Sequence, residues 1–168
     1  MEETKVLTDT IIDWAATRSD EIVFTPTAGY YSFDIVMDAW KKGKEEGKEQ
    51  FIEEVRGKYF NNAKLTTEAL LLIIQALSKY SFFPNKVFIN ISIEGSSILL
   101  AIKEQIYTSE KFITNANEEA SKLKLEFFEK GLNLQIGFLN DSPTLDISLL
   151  KSDGFGFAFD YDKKKIID

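Results

Sequence analysis

The stretch KVFINISIEGSSILLAI, residues 86–102, decides the fold class. On both sides of its central Glu-Gly-Ser, residues 94–96, every second residue is aliphatic. The aliphatic positions are Val87, Ile89, Ile91, Ile93, Ile98, Leu100 and Ile102. A period of two residues is typical of a β-strand with one buried face. Two such strands joined by a short turn that contains glycine predict a β-hairpin.

The residues that follow the hairpin return to a helical period. Between 108 and 130, apolar residues recur at the spacing of one helix face: Ala116, Ala120, Leu123 and Phe127. Asn115 and Glu118 have the spacing of a capping box, and Gly131 is suited to a helix C-terminus. The pattern predicts a helix that is best defined over 116–130.

The last third of the chain contains three short apolar segments, at 132–139, 144–150 and 155–161. They are separated by Asn-Asp-Ser-Pro (140–143) and Lys-Ser-Asp-Gly (151–154), which are typical turn residues. The spacing predicts an antiparallel three-stranded meander.

The chain before residue 84 is mainly helical in pattern. Apolar residues at helical spacing predict a first helix over 4–18, and residues 21–26 have the β-branched character of an extended segment. Two apolar stripes, at 33–40 and 51–59, flank a polar stretch that contains Gly43 and Gly47. Two helices, or one interrupted helix, are expected there. A buried helix over 69–77 is predicted next, with cap candidates at 65–68.

These elements together predict an α+β fold, in which a helical N-terminal half packs on a mainly antiparallel sheet. The sheet would comprise the hairpin and, after a helix, the three-stranded meander. Because no linker-like segment separates the two halves, one domain over residues 1–168 is expected. A chain of this length buries roughly 70% of its unfolded surface, so its core needs no disulfide or metal.

The composition excludes several kinds of chemistry. The chain has no histidine and no cysteine, which rules out thiolate nucleophiles, Cys-ligated metals and Ser-His-Asp triads. An enzyme would need carboxylates that hold Mg²⁺, a buried carboxylate, or a lysine of lowered pKa. The composition therefore disfavours an enzyme without excluding one, and it calls for no cofactor.

The charge of the chain bears on its partners. Its net charge of −7, with Arg18 and Arg56 as the only arginines, argues against a nucleic-acid partner. The first residues lack the basic and apolar regions of a secretory signal, and no apolar run approaches the ~20 residues that span a bilayer. We therefore expect a cytoplasmic protein that binds no membrane.

Two pairs of aspartates are candidate sites. Asp160 and Asp162 lie two apart on the last predicted strand, which places both carboxylates on one face. Asp34 and Asp38 lie four apart on a predicted helix, and Tyr30 and Tyr31 precede them. Either pair is suited to a cation or to the basic group of a partner. Whether either pair binds a metal stays open at this stage.

The leading interpretation is a non-catalytic protein-binding module, such as a dedicated chaperone, an immunity-type neutraliser or a regulator. The acidic charge would steer a basic partner, and the 22 aromatic residues could supply an interface. The alternative is a small-molecule binder or Mg²⁺-dependent enzyme that uses the paired aspartates. A third is a homo-oligomer joined through the edge of the C-terminal meander or through the polar-centred helix region.

Overall fold

A computed structural model of the chain describes residues 11–14, 45–161 and 165–167. Residues 11–14 are helical. The other elements, in chain order, are α1 (Glu45–Ser78), β1 (Lys86–Ile91), β2 (Ser96–Ile102), α2 (Glu104–Tyr107), α3 (Glu110–Glu129), β3 (Leu134–Asn140), α4 (Ile147–Ser152), β4 (Phe157–Asp160) and β5 (Lys165–Ile166).

The described strands form one sheet in the order β3-β2-β1-β4-β5. β1 and β2 are the predicted hairpin, and β1 also pairs antiparallel with β4, which pairs antiparallel with β5. β3 runs parallel to β2, and α3 makes the crossover that a parallel connection requires. The α+β class is confirmed, with helical structure before the sheet and mainly antiparallel pairing within it.

The predicted meander is wrong in two respects. Residues 147–152 form α4 instead of a strand, and β3 and β4 lie on opposite sides of the hairpin. Asp146 is the N-cap of α4. Its Oδ1 accepts hydrogen bonds from the Leu149 amide at 3.1 Å and the Ser148 hydroxyl at 2.6 Å. This cap satisfies a backbone N–H at the start of α4, and the alternating apolar residues of 144–150 give no sign of that helix start.

The predicted start of a new helix at 65–68 is also wrong, because α1 runs through these residues without interruption. The hydroxyls of Thr66 and Thr67 donate to the carbonyls of Asn62 and Ala63 at 2.6 and 2.9 Å. The hydrogen-bonding capacity of these hydroxyls is thus satisfied by the preceding turn of the helix, and neither threonine caps a helix end. Gly47 lies inside α1, whereas the predicted features upstream of residue 45, apart from 11–14, lie outside the described residues.

The ends of α3 differ in how well they were predicted. The helix starts at Glu110, where the Ser109 side chain accepts from the Phe112 amide at 3.2 Å, so Asn115 lies inside the helix and is not its cap. The predicted role of Gly131 is confirmed, since its φ is +85°. The amides of Gly131 and Leu132 donate to the carbonyls of Phe128 and Phe127, which is a Schellman motif.

Both faces of the sheet are covered. On one face, the aliphatic residues of the hairpin pack with α1, α3 and Ile11, which is fully buried. On the other face, Phe88, Ala101 and Ala158 pack with residues of α4 and its flanks. The period-two pattern identified the first face, whereas the second face depends on α4 and was not predicted.

Candidate functional site

Asp160 is the one predicted site residue that the structure describes, and it lies at an end of the sheet. It is only 6% exposed. In the strand register it lies opposite Lys86 of β1 and Lys165 of β5. A carboxylate between two cross-strand lysines is in a favourable electrostatic position. Asp162, Tyr30, Tyr31, Asp34 and Asp38 lie outside the described residues.

A second carboxylate, that of Asp141, completes this charged cluster. Lys86 Nζ donates to Asp141 Oδ1, and Asn85 Nδ2 donates to Asp141 Oδ2 at 2.7 Å. The Asp141 amide in turn donates to the carbonyl of Ile102 at 2.8 Å. The side chains of Lys86 and Asp141 are 23% and 11% exposed. The cluster therefore ties the ends of β1, β2 and β3 together through partly buried polar contacts.

Lys86 and Asp141 form an ion pair in this cluster, whereas strand register places Asp160 beside Lys86 and Lys165. Two lysines, Lys86 and Lys165, accompany two aspartates, Asp141 and Asp160, so the charges balance. Within the described residues, no three acidic side chains are grouped so as to hold a metal ion. Sequence reasoning missed Asn85, Lys86 and Asp141. Lys86 and Asp141 are 55 residues apart in the chain, and only the sheet pairing brings them together.

The outer side of β3 is a second candidate site. Among the described strands, β3 pairs with β2 alone and forms one edge of the sheet. Its sequence, LQIGFLN, contains no charged residue and no proline, and its register against β2 is continuous over seven residue pairs, without a bulge. Natural sheets usually protect such edges with charge, proline or irregularity. The opposite edge, β5, is two residues long and contains Lys165.

The backbone of β3 presents alternate residues to this open side. The Ser96 amide donates to the carbonyl of Asn133 at 2.9 Å, and the Asp141 amide donates to the carbonyl of Ile102. The odd-numbered residues of this stretch therefore face β2, since N–H and C=O directions alternate along a strand. The N–H and C=O groups of the even-numbered residues point away from β2: Leu134, Ile136, Phe138 and Asn140.

Helix α3 packs on β3, and one of its sides is held by α1. Lys130 Nζ contacts Glu68 of α1 at 2.7 Å and Glu126 at 2.9 Å. These two hydrogen bonds raise the pKa of Lys130, and the bond to Glu68 has the larger effect. Glu126 is the residue before the core residue Phe127 and is therefore rotated about 100° from it around the helix axis. Because Glu126 and Glu68 both contact Lys130, this side of α3 faces α1.

The opposite side of α3 carries exposed apolar residues. Phe128 and Ile113 each follow a core residue, Phe127 and Phe112. Each is therefore rotated about 100° from the core side in the direction away from α1, towards the open side of β3. Phe128 is 70% exposed and Ile113 is 50% exposed. Leu125, 65% exposed, precedes Phe127 by two residues and points away from the sheet. These three residues depart from the apolar stripe of the predicted helix, a signal that the sequence analysis did not use.

We call the outer edge of β3 together with Ile113 and Phe128 the open-edge surface. No protein-family model matches the chain, and neither a curated protein nor a solved structure shows significant similarity to it. No helix in the described ranges is both long and apolar enough to cross a bilayer.

Proposed function

We propose that this chain is a non-catalytic protein-binding module and that the open-edge surface is where it binds. The observation that carries the proposal is Phe128, a 70% exposed aromatic side chain beside an edge strand that lacks any charge. A chaperone, an immunity-type neutraliser or a regulator would each use a surface of this kind.

The physical basis of the proposal is strand addition combined with apolar burial. An extended segment beside β3 would satisfy the outward N–H and C=O groups of Ile136 and Phe138, and such main-chain bonds supply affinity in many peptide complexes. The same partner would cover Phe128, and complete burial of a phenylalanine side chain contributes roughly 1.5–3 kcal/mol. The net charge of −7 favours the approach of a basic partner, although the strand itself is neutral.

The described residues offer less support for the alternative, a small-molecule binder or Mg²⁺-dependent enzyme. Asp160 is buried between two lysines in register, and Asp141 accepts hydrogen bonds from Lys86 and Asn85. Lysine neighbours compete with a bound cation for carboxylate oxygens. This arrangement favours a structural role for the acids in the cluster.

The test is to isolate tagged protein from its native host and compare three versions: wild type, Phe128→Lys and Leu125→Lys. Both substitutions place a lysine at an exposed position of α3, but only Phe128 borders the open edge. We expect wild type and Leu125→Lys to retain a partner polypeptide in stoichiometric amount and Phe128→Lys to lose it. An untagged copy of this chain counts as such a partner. A wild type that retains no polypeptide, or equal retention by all three, would contradict the proposal.

A further inference from the structure

We infer that the polypeptide bound at the open-edge surface is a second copy of this chain, paired antiparallel through β3 about a two-fold axis at Gly137. This inference rests on the proposed function and specifies its partner. The starting point is the contrast between the two edges of the described sheet. β3 offers seven regular, uncharged residues, whereas β5 offers two and includes a lysine.

The backbone of β3 is complementary to itself under this symmetry. An axis at Gly137 places Ile136 opposite the partner's Phe138 and Leu134 opposite the partner's Asn140. The N–H and C=O groups of Ile136 and Phe138 point outward, so these two residues form a hydrogen-bonded pair of an antiparallel ladder. At the end of the strand, the Asn140 carbonyl already accepts from the Ser142 amide at 3.0 Å. Gly137 meets the partner's Gly137 in a non-hydrogen-bonded pair, where Cα atoms approach to about 4.5 Å, and glycine has no side chain to crowd it.

The helices above the strands are complementary as well. The two-fold axis places both copies of α3 on the same face of a continuous ten-stranded sheet, antiparallel, with their Ile113 and Phe128 sides turned towards each other. Glu110 lies five full turns before Phe128 on that side, and Lys124, which follows the core residue Leu123, lies there too. Antiparallel helices bring Glu110 of one copy towards the partner's Lys124, which offsets the repulsion between two acidic chains.

The symmetry also explains why the assembly would stop at two copies. Pairing β3 with β3 is isologous, since each copy uses the same surface, so both open edges are consumed in one contact. The edges that remain are the two copies of β5, which are short and charged and do not favour further strand addition.

The test is sedimentation velocity on the full chain over roughly 1 to 100 µM, the range in which dimers of moderate affinity dissociate. Phe138→Pro removes an N–H that points away from β2, and Phe138→Leu is its control because it shortens the side chain but keeps the N–H. Phe128→Lys and Leu125→Lys form a second matched pair on α3. Thermal melts of all four variants establish that they are folded.

We expect wild type, Phe138→Leu and Leu125→Lys to be dimers. For Phe138→Pro and Phe128→Lys, we expect the Kd of the dimer to be roughly tenfold higher or more. A dimer that Phe138→Pro and Phe128→Lys both leave intact would overturn the inference. So would a monomeric wild type. If that monomer still retains another polypeptide that Phe128→Lys loses, the proposed function stands without this partner, and if it retains none, both proposals fail.

Discussion

At the scale of single residues, the end of α1 places a serine, Ser81, in a backbone conformation that is unfavourable for any residue with a Cβ. Ser81 has a φ of +61°, in the left-handed region. The amides of Ser81 and Phe82 donate to the carbonyls of Ser78 and Leu77 at 2.9 and 3.1 Å, the bonds of a Schellman motif. The motifs that end α3 and α4 use Gly131 and Gly154 at this position.

Ser81→Gly should therefore stabilise the protein. Glycine removes the steric cost of the left-handed conformation but increases the entropy of the unfolded chain, so the expected net gain in unfolding free energy is roughly 0.5–1 kcal/mol. Urea denaturation measures it, with Ser81→Ala as the control that keeps a Cβ. An equal gain from alanine would show that the conformation at Ser81 is not the cause.

Asp146 gives a pH-dependent prediction. The bond from the Ser148 hydroxyl, and then that from the Leu149 amide, lower the pKa of Asp146 in the folded state. A lowered folded-state pKa contributes stability that is present above the ordinary carboxyl pKa of about 3.9 and is lost as the pH falls through the folded value. Asp146→Asn keeps a capping side chain but removes the titrating group.

We expect wild type to be more stable than Asp146→Asn near neutral pH and the two to converge in acid. Urea denaturation of both proteins at about pH 7 and about pH 2 measures the difference, and other acids cancel in the comparison. A difference that stays constant across this range would contradict a role for the charge of Asp146.

At the scale of elements, local patterns predicted what local contacts decide. The alternation in 86–102 predicted the hairpin because its turn and both strands lie within one short segment. The alternation of Leu145, Ile147 and Leu149 favoured a strand by the same rule, but the Asp146 cap and the packing of Ile147 on the second sheet face produce α4. Leu149 is left 57% exposed. A period-two pattern this short does not distinguish the two outcomes.

Two glycines in different elements should respond to alanine with opposite signs. A Cβ at Gly95, in the hairpin turn, would lie 2.3 Å from the carbonyl oxygen of Asn133, which already accepts from the Ser96 amide. The contact is with backbone, so the join between β2 and β3 must shift, at an expected cost of about 1–3 kcal/mol. A Cβ at Gly57, within α1, meets nothing within 4 Å.

Gly57→Ala should accordingly raise the unfolding free energy by roughly 0.5–1 kcal/mol, since alanine is the better helix former. Denaturant titration of the two variants beside wild type tests both predictions together. A gain in stability from Gly95→Ala would show that the turn relaxes freely, and a loss from Gly57→Ala would point to an unexpected role for that glycine in α1.

At the scale of the whole molecule, the sequence predicted the class of the fold but not the arrangement of its strands. β4 lies beside β1, and β3 lies parallel to β2, and these pairings join segments that are far apart in the chain. A long helical crossover between two strands is a signal for parallel pairing, and α3 supplies it. The charged cluster depends on the same pairing: the sequence predicted Asp160 as a partner of Asp162, whereas its position opposite Lys86 follows only from the pairing of β4 with β1.

The charged cluster also gives the sharpest comparison between a structural role and a binding role. Asp141→Asn keeps an acceptor for Asn85 but removes the carboxylate that pairs with Lys86, at an expected cost of roughly 1–3 kcal/mol for a partly buried pair. Adding Lys86→Met should recover part of that loss, since the unpaired cation is then gone. Denaturation of the single and double variants measures the coupling between the two residues.

The structural role requires that these variants leave association through the open-edge surface unchanged in the sedimentation assay. It also requires that Mg²⁺, compared with NaCl of equal ionic strength, leave the Tm of wild type unchanged, because a ligand that binds the folded state raises it. If Mg²⁺ raises the Tm of wild type but not that of Asp160→Asn, the acid is a cation ligand despite its two lysine neighbours. The alternative function would then replace the protein-binding one as the explanation of this end of the sheet.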